Sequence, residues 1–225
     1  MRYCGVVPAG PEFLQLATLE EVRTDEPPIR LHASFYEPGS PADVVGALRS
    51  FGEDAVIGIG SPLSTEPRLA GEELGRRGVP ALPPHEGILA LIAAVDAPVY
   101  AGGAGTHQVD EGAYAQTPIF ETHPDGVFCA LRGIRLPAKR HPFGIALRIE
   151  ELADEHVEDE GDLWHRRIEE LEAAACALAA HRFAVGHACW VGDPAEGVIV
   201  LPGSHLPDRF SGEGVIPPVP RTPLG

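Results

Sequence analysis

Residues 54–60 constrain the fold more than any other stretch of this chain. Ala55, Ile57 and Ile59 alternate with Val56, Gly58 and Gly60, so neither face carries a polar side chain. That pattern describes a strand in the middle of a sheet, covered above and below. Covering both faces requires helices, and the sequence offers them. Residues 41–50 read as a helix capped by Ser40, with Pro41 in its first turn and Val44, Val45 and Leu48 on its apolar face. Residues 68–76, 86–95, 143–153 and 163–183 are further helical segments, the last with Trp164, Ile168, Leu171, Ala175 and Leu178 as its stripe.

Three strand-like runs come first, at 2–7, 12–18 and 29–36, separated by turn residues, and they predict an antiparallel meander. Residues 117–122 and 198–201 are later strands, and 102–112 is a Gly-rich loop. Strands first, then strands mixed with helices, predict an α/β domain with a mixed sheet over residues 1–210. The Pro- and Gly-rich residues 211–225 are expected to form an extended tail.

No apolar stretch is long enough to span a bilayer, and the strand-like start leaves no room for a signal peptide, so a cytoplasmic protein without a membrane partner is expected. Cys4, Cys129, Cys176 and Cys189 form no C-x-x-C pair and are expected to be buried apolar groups. His187 and Cys189 make at most half of a zinc site. The net charge of −16 repels polyanions. Residues 126–149 run against that balance. They contain no Asp or Glu but hold Arg132, Arg135, Lys139, Arg140 and Arg148, five of the 17 basic residues. A phosphate would find its most favourable field there, although a solvated basic loop fits equally well. Lys139 is the only lysine of the chain. Residues 154–162 hold six acids in nine positions and are expected to form a solvated loop.

The candidate chemistry starts at Glu121-Thr122-His123-Pro124. Pro124 cannot continue a ladder, so Glu121 is placed at the carboxyl end of its strand, where α/β sheets gather ligand sites. There it is either a metal ligand or a partner of Arg148 or Lys139. Glu172 lies at the edge of the last helix's apolar stripe and is either an inward-leaning metal ligand or a boundary side chain in solvent, while Glu169 and Glu170 point further away. Lys139 and Arg148 bracket a helix start with Pro142 in its first turn, a cradle for a phosphate or carboxylate. The turn 58–62 has neither the G-K-[ST] ending nor the G-x-G-x-x-G spacing of phosphate loops, and no G-x-S-x-G or H-E-x-x-H motif occurs.

Taken in order, these segments resemble family 429 of the domains of unknown function, a prokaryotic family of predicted nucleases with an RNase H-like fold. The resemblance rests on residues 4–9, 57–64, 68–80, the stretch Phe120 to Pro124 followed by Lys139, Gly144 and Arg148, residues 171–174, and residues 197–202. It implies a five-stranded mixed sheet, an antiparallel meander plus parallel strands, flanked by helices. It also implies Glu121 and Glu172 as catalytic, metal-ligating carboxylates for one or two Mg²⁺ or Mn²⁺ ions, with Lys139, Arg148 and His123 as anion-binding groups.

The chain departs from that pattern. The family carries Asp where Val7, Gly60, Gly71 and Glu172 stand here. Two hard cations close together need several anionic oxygens, and two carboxylates are too few. The leading expectation is therefore an RNase H-like protein that binds an anionic ligand or a partner without catalysis. Its rivals are a metal-dependent nuclease with a rebuilt site, acting on nucleic acid against the repulsion of its net charge, and a homo-oligomeric scaffold.

Overall fold

The structure is a computed structural model, and it describes residues 1–22, 28–52, 54–103, 107–110 and 112–212. The chain opens with β1 (Arg2–Pro8), β2 (Leu14–Val22) and β3 (Arg30–Phe35), which pair antiparallel in sequence order. Helix α1 (Pro41–Ser50) follows, with Ser40 and Asp43 forming the reciprocal capping box that fixes its start. Next come β4 (Ala55–Ile59), α2 (Leu69–Arg76), α3 (Glu86–Ala94) and β5 (Ile119–Glu121). Strand β4 lies parallel to β1, and β5 parallel to β4. A meander followed by two strands parallel to the first is the RNase H-like mixed sheet that the resemblance implies.

The alternation in β1 and β4 sorts the core into two layers. Cys4, Val6, Ile57 and Ile59 face α1 and α3, meeting Val44, Val45, Leu48, Ile88 and Leu91. Tyr3, Val56 and Phe120 face the other side. That side is covered by α6 (Ile168–Ala184), which lies across β1, β2 and β4 and is buried around almost its whole circumference. Its approach is close. A Cβ added to Gly5 would lie 1.9 Å from the Ala173 carbonyl oxygen, and one added to Gly58 would lie 2.5 Å from that of Cys176. Glycine is required at both positions because the neighbouring atoms are backbone and cannot yield.

Several elements differ from the sequence reading. Helix α4 (Pro124–Arg132) was unforeseen; the same Pro124 that ends β5 occupies the helix's first turn, and Gly133 closes it with a left-handed backbone. Helix α5 (Pro142–Asp154) matches expectation. The acidic stretch 154–162 is not simply a solvated loop, because β6 (Val157–Glu158) adds a sixth strand beside β3, and Asp159 pairs with Arg166 at 2.6 Å. The last helix starts at Ile168 rather than 163. Trp164 stays in a preceding 3-10 turn, is 59% exposed and takes no part in the apolar stripe.

Glu170 is buried rather than pointing away, because Arg166 and Arg167 pair with it. Residues 188–193 were not read as a strand, yet they form β7 (Ala188–Asp193), a hairpin partner of β8 (Gly197–Pro202) in a separate two-stranded sheet. Part of the 102–112 loop, residues 104–106 and 111, lies outside the described residues, as does most of the proposed tail, residues 213–225. Ser211 is tied to the domain, since its carbonyl accepts from the Arg135 N–H at 2.9 Å. Among the described residues, no helix is long and apolar enough to cross a membrane.

Candidate functional site

The carboxyl ends of β1, β4 and β5 open into a cleft of two compartments. One, about 360 Å³, is walled by Arg68, Leu74, Glu121, Thr122 and Ile199. The other, about 220 Å³, is walled by Val7, Gly60, Ser61, His85, Lys139 and Glu172. Leu82, Pro84 and His123 line both.

Glu121 belongs to the first compartment. It alternates with Phe120, whose ring stacks on Phe183 of α6 at 4.6 Å, so its carboxylate leaves the strand away from α6. It is only 2% exposed. Its Oε1 accepts from Arg68, and its Oε2 accepts from the Leu63 backbone N–H at 2.9 Å. Burial pushes its pKa up, and the Arg68 guanidinium works against that shift. Its cationic partner is therefore Arg68, not the Arg148 or Lys139 that sequence reasoning offered.

Glu172 walls the second compartment and leans inward from α6, as one of its two readings required. Its Oε1 accepts from Lys139 Nζ at 2.7 Å. Burial raises its pKa too, opposed chiefly by Lys139. The two proposed metal ligands thus lie in different compartments, each engaged by its own cation.

The spacing Lys139, Gly144, Arg148 now has a physical account. Helix α5 packs so closely on the preceding loop that a Cβ at Gly144 would sit 2.3 Å from the Ala138 carbonyl oxygen. Arg148 is one turn further along and 1% exposed. Its Nη1 donates to the Pro137 and Gly144 carbonyls at 3.1 and 2.7 Å, and its Nη2 donates to Asp125 Oδ1 at 2.6 Å. Gly144 and Arg148 therefore hold the loop that points Lys139 at Glu172. The anion that Arg148 reaches is the protein's own Asp125, in the first turn of α4.

His123 caps α4. Its Nδ1 accepts from the Gly126 N–H at 3.1 Å while its Nε2 meets the Pro80 carbonyl at 2.8 Å. Those two bonds require the Nε2–H tautomer, and burial keeps the ring neutral by lowering its pKa.

The corner where the family carries its strand carboxylates is filled. A Cβ at Gly60 would lie 2.6 Å from Cys176 Sγ, 2.7 Å from Val7 Cγ1 and 2.9 Å from Pro124 Cγ. Val7 itself packs with Ala17, Ala173 and Cys176. The Cys176 thiol is neutral, since burial, reinforced by the Glu172 charge, raises its pKa well above the usual range. Among the described residues, no three His, Cys, Asp or Glu side chains are grouped so as to hold a metal ion. The residues present do not fit a two-metal centre, because Glu121, Glu172 and Asp125, which also lines the second compartment, each pair with an internal cation, and the Gly60 corner is apolar.

Sequence reasoning missed Arg68, Asp125 and Ser61. Asp125 had a signal, since an acid directly after a proline marks a helix start. Arg68 lies 53 positions from Glu121 and had none. The predicted basic segment is largely neutralised, because Arg132 also meets Glu150 and Glu151.

Residues 87–196 match the model of the family described as "Protein of unknown function (DUF429)". The DUF429 match spans α3 through the turn of the β7–β8 hairpin, and so includes Glu121, His123, Lys139, Gly144, Arg148 and Glu172. No curated protein matches the chain. Among solved structures it is similar to RuvC of Thermus thermophilus, with 17% identity, a TM-score of 0.42, and coverage of 81% of this chain and 94% of that one.

Proposed function

We propose that this chain is a non-catalytic RNase H-like protein whose strand-end cleft binds a small phosphate-bearing ligand at Lys139. The observation that carries the first half is charge compensation from within. Arg68 and Lys139 supply beside Glu121 and Glu172 the positive charge that metal ions would otherwise supply. A metal would have to displace both cations and would gain too few anionic oxygens in return.

The second half rests on what Lys139 and Ser61 still offer. The Lys139 side chain is 39% exposed and spends one of its three donors on Glu172. Ser61 is buried on the same compartment wall, and its Oγ has no hydrogen-bond partner among the described residues. An ammonium and a hydroxyl facing one small compartment suit a phosphate oxygen.

Because Lys139 is the only lysine, its reactivity reports on this site alone. Acetylation by acetic anhydride, followed by peptide mass, is expected to slow severalfold at Lys139 when ADP is added. An unchanged rate relative to sodium chloride of equal ionic strength would refute ligand binding there.

A further inference from the structure

A second cavity, of about 360 Å³, lies away from the strand ends, between the C-terminal end of α2 and the β7–β8 hairpin. Arg77, His107, Cys189, Trp190 and His205 are among its walls, and no Asp or Glu among the described residues lines it. That composition runs against a chain with 33 acids and 17 Lys and Arg residues.

Two N–H donors there lack acceptors. Trp190 is 4% exposed, and its Nε1 is buried with no hydrogen-bond partner among the described residues. The same holds for Arg77 Nε. Arg77 is anchored through its Nη1, which donates to the Glu73 carbonyl at 3.0 Å and lies 3.9 Å from the Glu73 carboxylate. That carboxylate in turn accepts from the Gly192 N–H at 3.2 Å. The Trp190 indole is held in place by His107, stacked on it at 4.4 Å. Cys189 adds no negative charge, since burial pushes its thiol up to about 11 despite Arg77.

A buried donor without an acceptor costs free energy comparable to a lost hydrogen bond, and the two residues that carry such donors both line this cavity. The ligand that relieves both must bring acceptor atoms and no donors, and beside an arginine it is favoured if anionic. We infer that this cavity binds a small oxyanion, a phosphate or carboxylate group, through the Arg77 Nε–H and the Trp190 indole N–H.

The test uses the fact that the chain has only two tryptophans. In ¹H–¹⁵N spectra their indole N–H signals are two peaks, assigned by Trp164→Phe. Titration with inorganic phosphate and, separately, with malonate is expected to move the Trp190 peak saturably and leave the Trp164 peak in place. Sodium chloride at matched ionic strength should move neither. Arg77→Lys keeps the charge beside Glu73 but loses the Nε–H, and should raise the midpoint at least tenfold. Lys139→Ala should leave the midpoint unchanged, which separates this site from the strand-end cleft. A response to only one of the two anions identifies the group recognised. The inference is overturned if neither anion moves the Trp190 peak, or if the midpoint is the same in Arg77→Lys.

Discussion

At Gly5 and Gly58 the sheet meets α6 backbone to backbone, whereas two residues further along the same strands, at Val7 and Gly60, it meets side chains and a compartment that Lys139 and Glu172 also line. The middle of the sheet is governed by sterics. There, a single methyl group has nowhere to go, and no choice of partner elsewhere would relieve it. The carboxyl end is governed by compensation. Glu121, Glu172 and Asp125 are each tolerated because Arg68, Lys139 and Arg148 stand beside them. A packing constraint of the first kind leaves little freedom to evolve. A charge arrangement of the second kind can be exchanged, one compensating group for another, while the fold stays the same.

The largest effect should come from the middle of the sheet. Gly5→Ala drives a methyl into the Ala173 carbonyl and the Ala177 nitrogen, 1.9 and 2.4 Å from its Cβ. A loss of more than about 3 kcal/mol is expected. Urea unfolding checks it, and a loss below about 1 kcal/mol would mean that α6 can slide and that the contact is not rigid.

At the carboxyl end, Arg68→Met strands the buried Glu121 carboxylate and should cost about 3 kcal/mol. The raised pKa of Glu121 offers an escape through protonation, so adding Glu121→Gln should recover most of that loss. Recovery is what separates this region from the first, because no second-site polar change should rescue Gly5→Ala. An Arg68→Met loss that Glu121→Gln leaves intact would break the distinction.

A smaller, pH-dependent effect belongs to His123. Burial holds its folded pKa below the ordinary value of about 6.5, so the unfolded chain binds more protons between those two values. Stability contributed by the neutral ring is therefore present above about pH 6.5 and is lost as the pH falls through that window. His123→Asn keeps a side-chain cap for α4 without titrating. Relative to that variant, wild type should lose stability progressively from pH 7.5 to 5.5, measured by thermal unfolding. Parallel curves would show that His123 binds protons alike in the folded and unfolded states, so that burial does not shift it.

Much of the sheet was legible because it obeys period two. The apolar faces of β1 and β4 fall where the two core layers lie, and Ser40 with Pro41 announces α1. Helix α4 was hidden because Pro124 reads in the sequence as the stop of a strand, whereas in the fold it starts a helix. β7 was hidden behind Gly186 and Gly192 in a stretch read for zinc ligands. At the cleft, the residue types at Glu121, Lys139 and Glu172 were readable, but the pairing of Glu121 with Arg68 joins distant segments and follows from the tertiary fold alone. The filling of the Gly60 corner by Cys176, 116 positions later, is equally invisible in sequence.

The most direct test of the account is a cleavage assay on single-stranded, double-stranded and hybrid nucleic acids with Mn²⁺, run beside Glu172→Ala. The account predicts no cleavage above the background of the variant. Cleavage by the wild-type chain that disappears in Glu172→Ala would show that the internal cations yield to metal, and would contradict it.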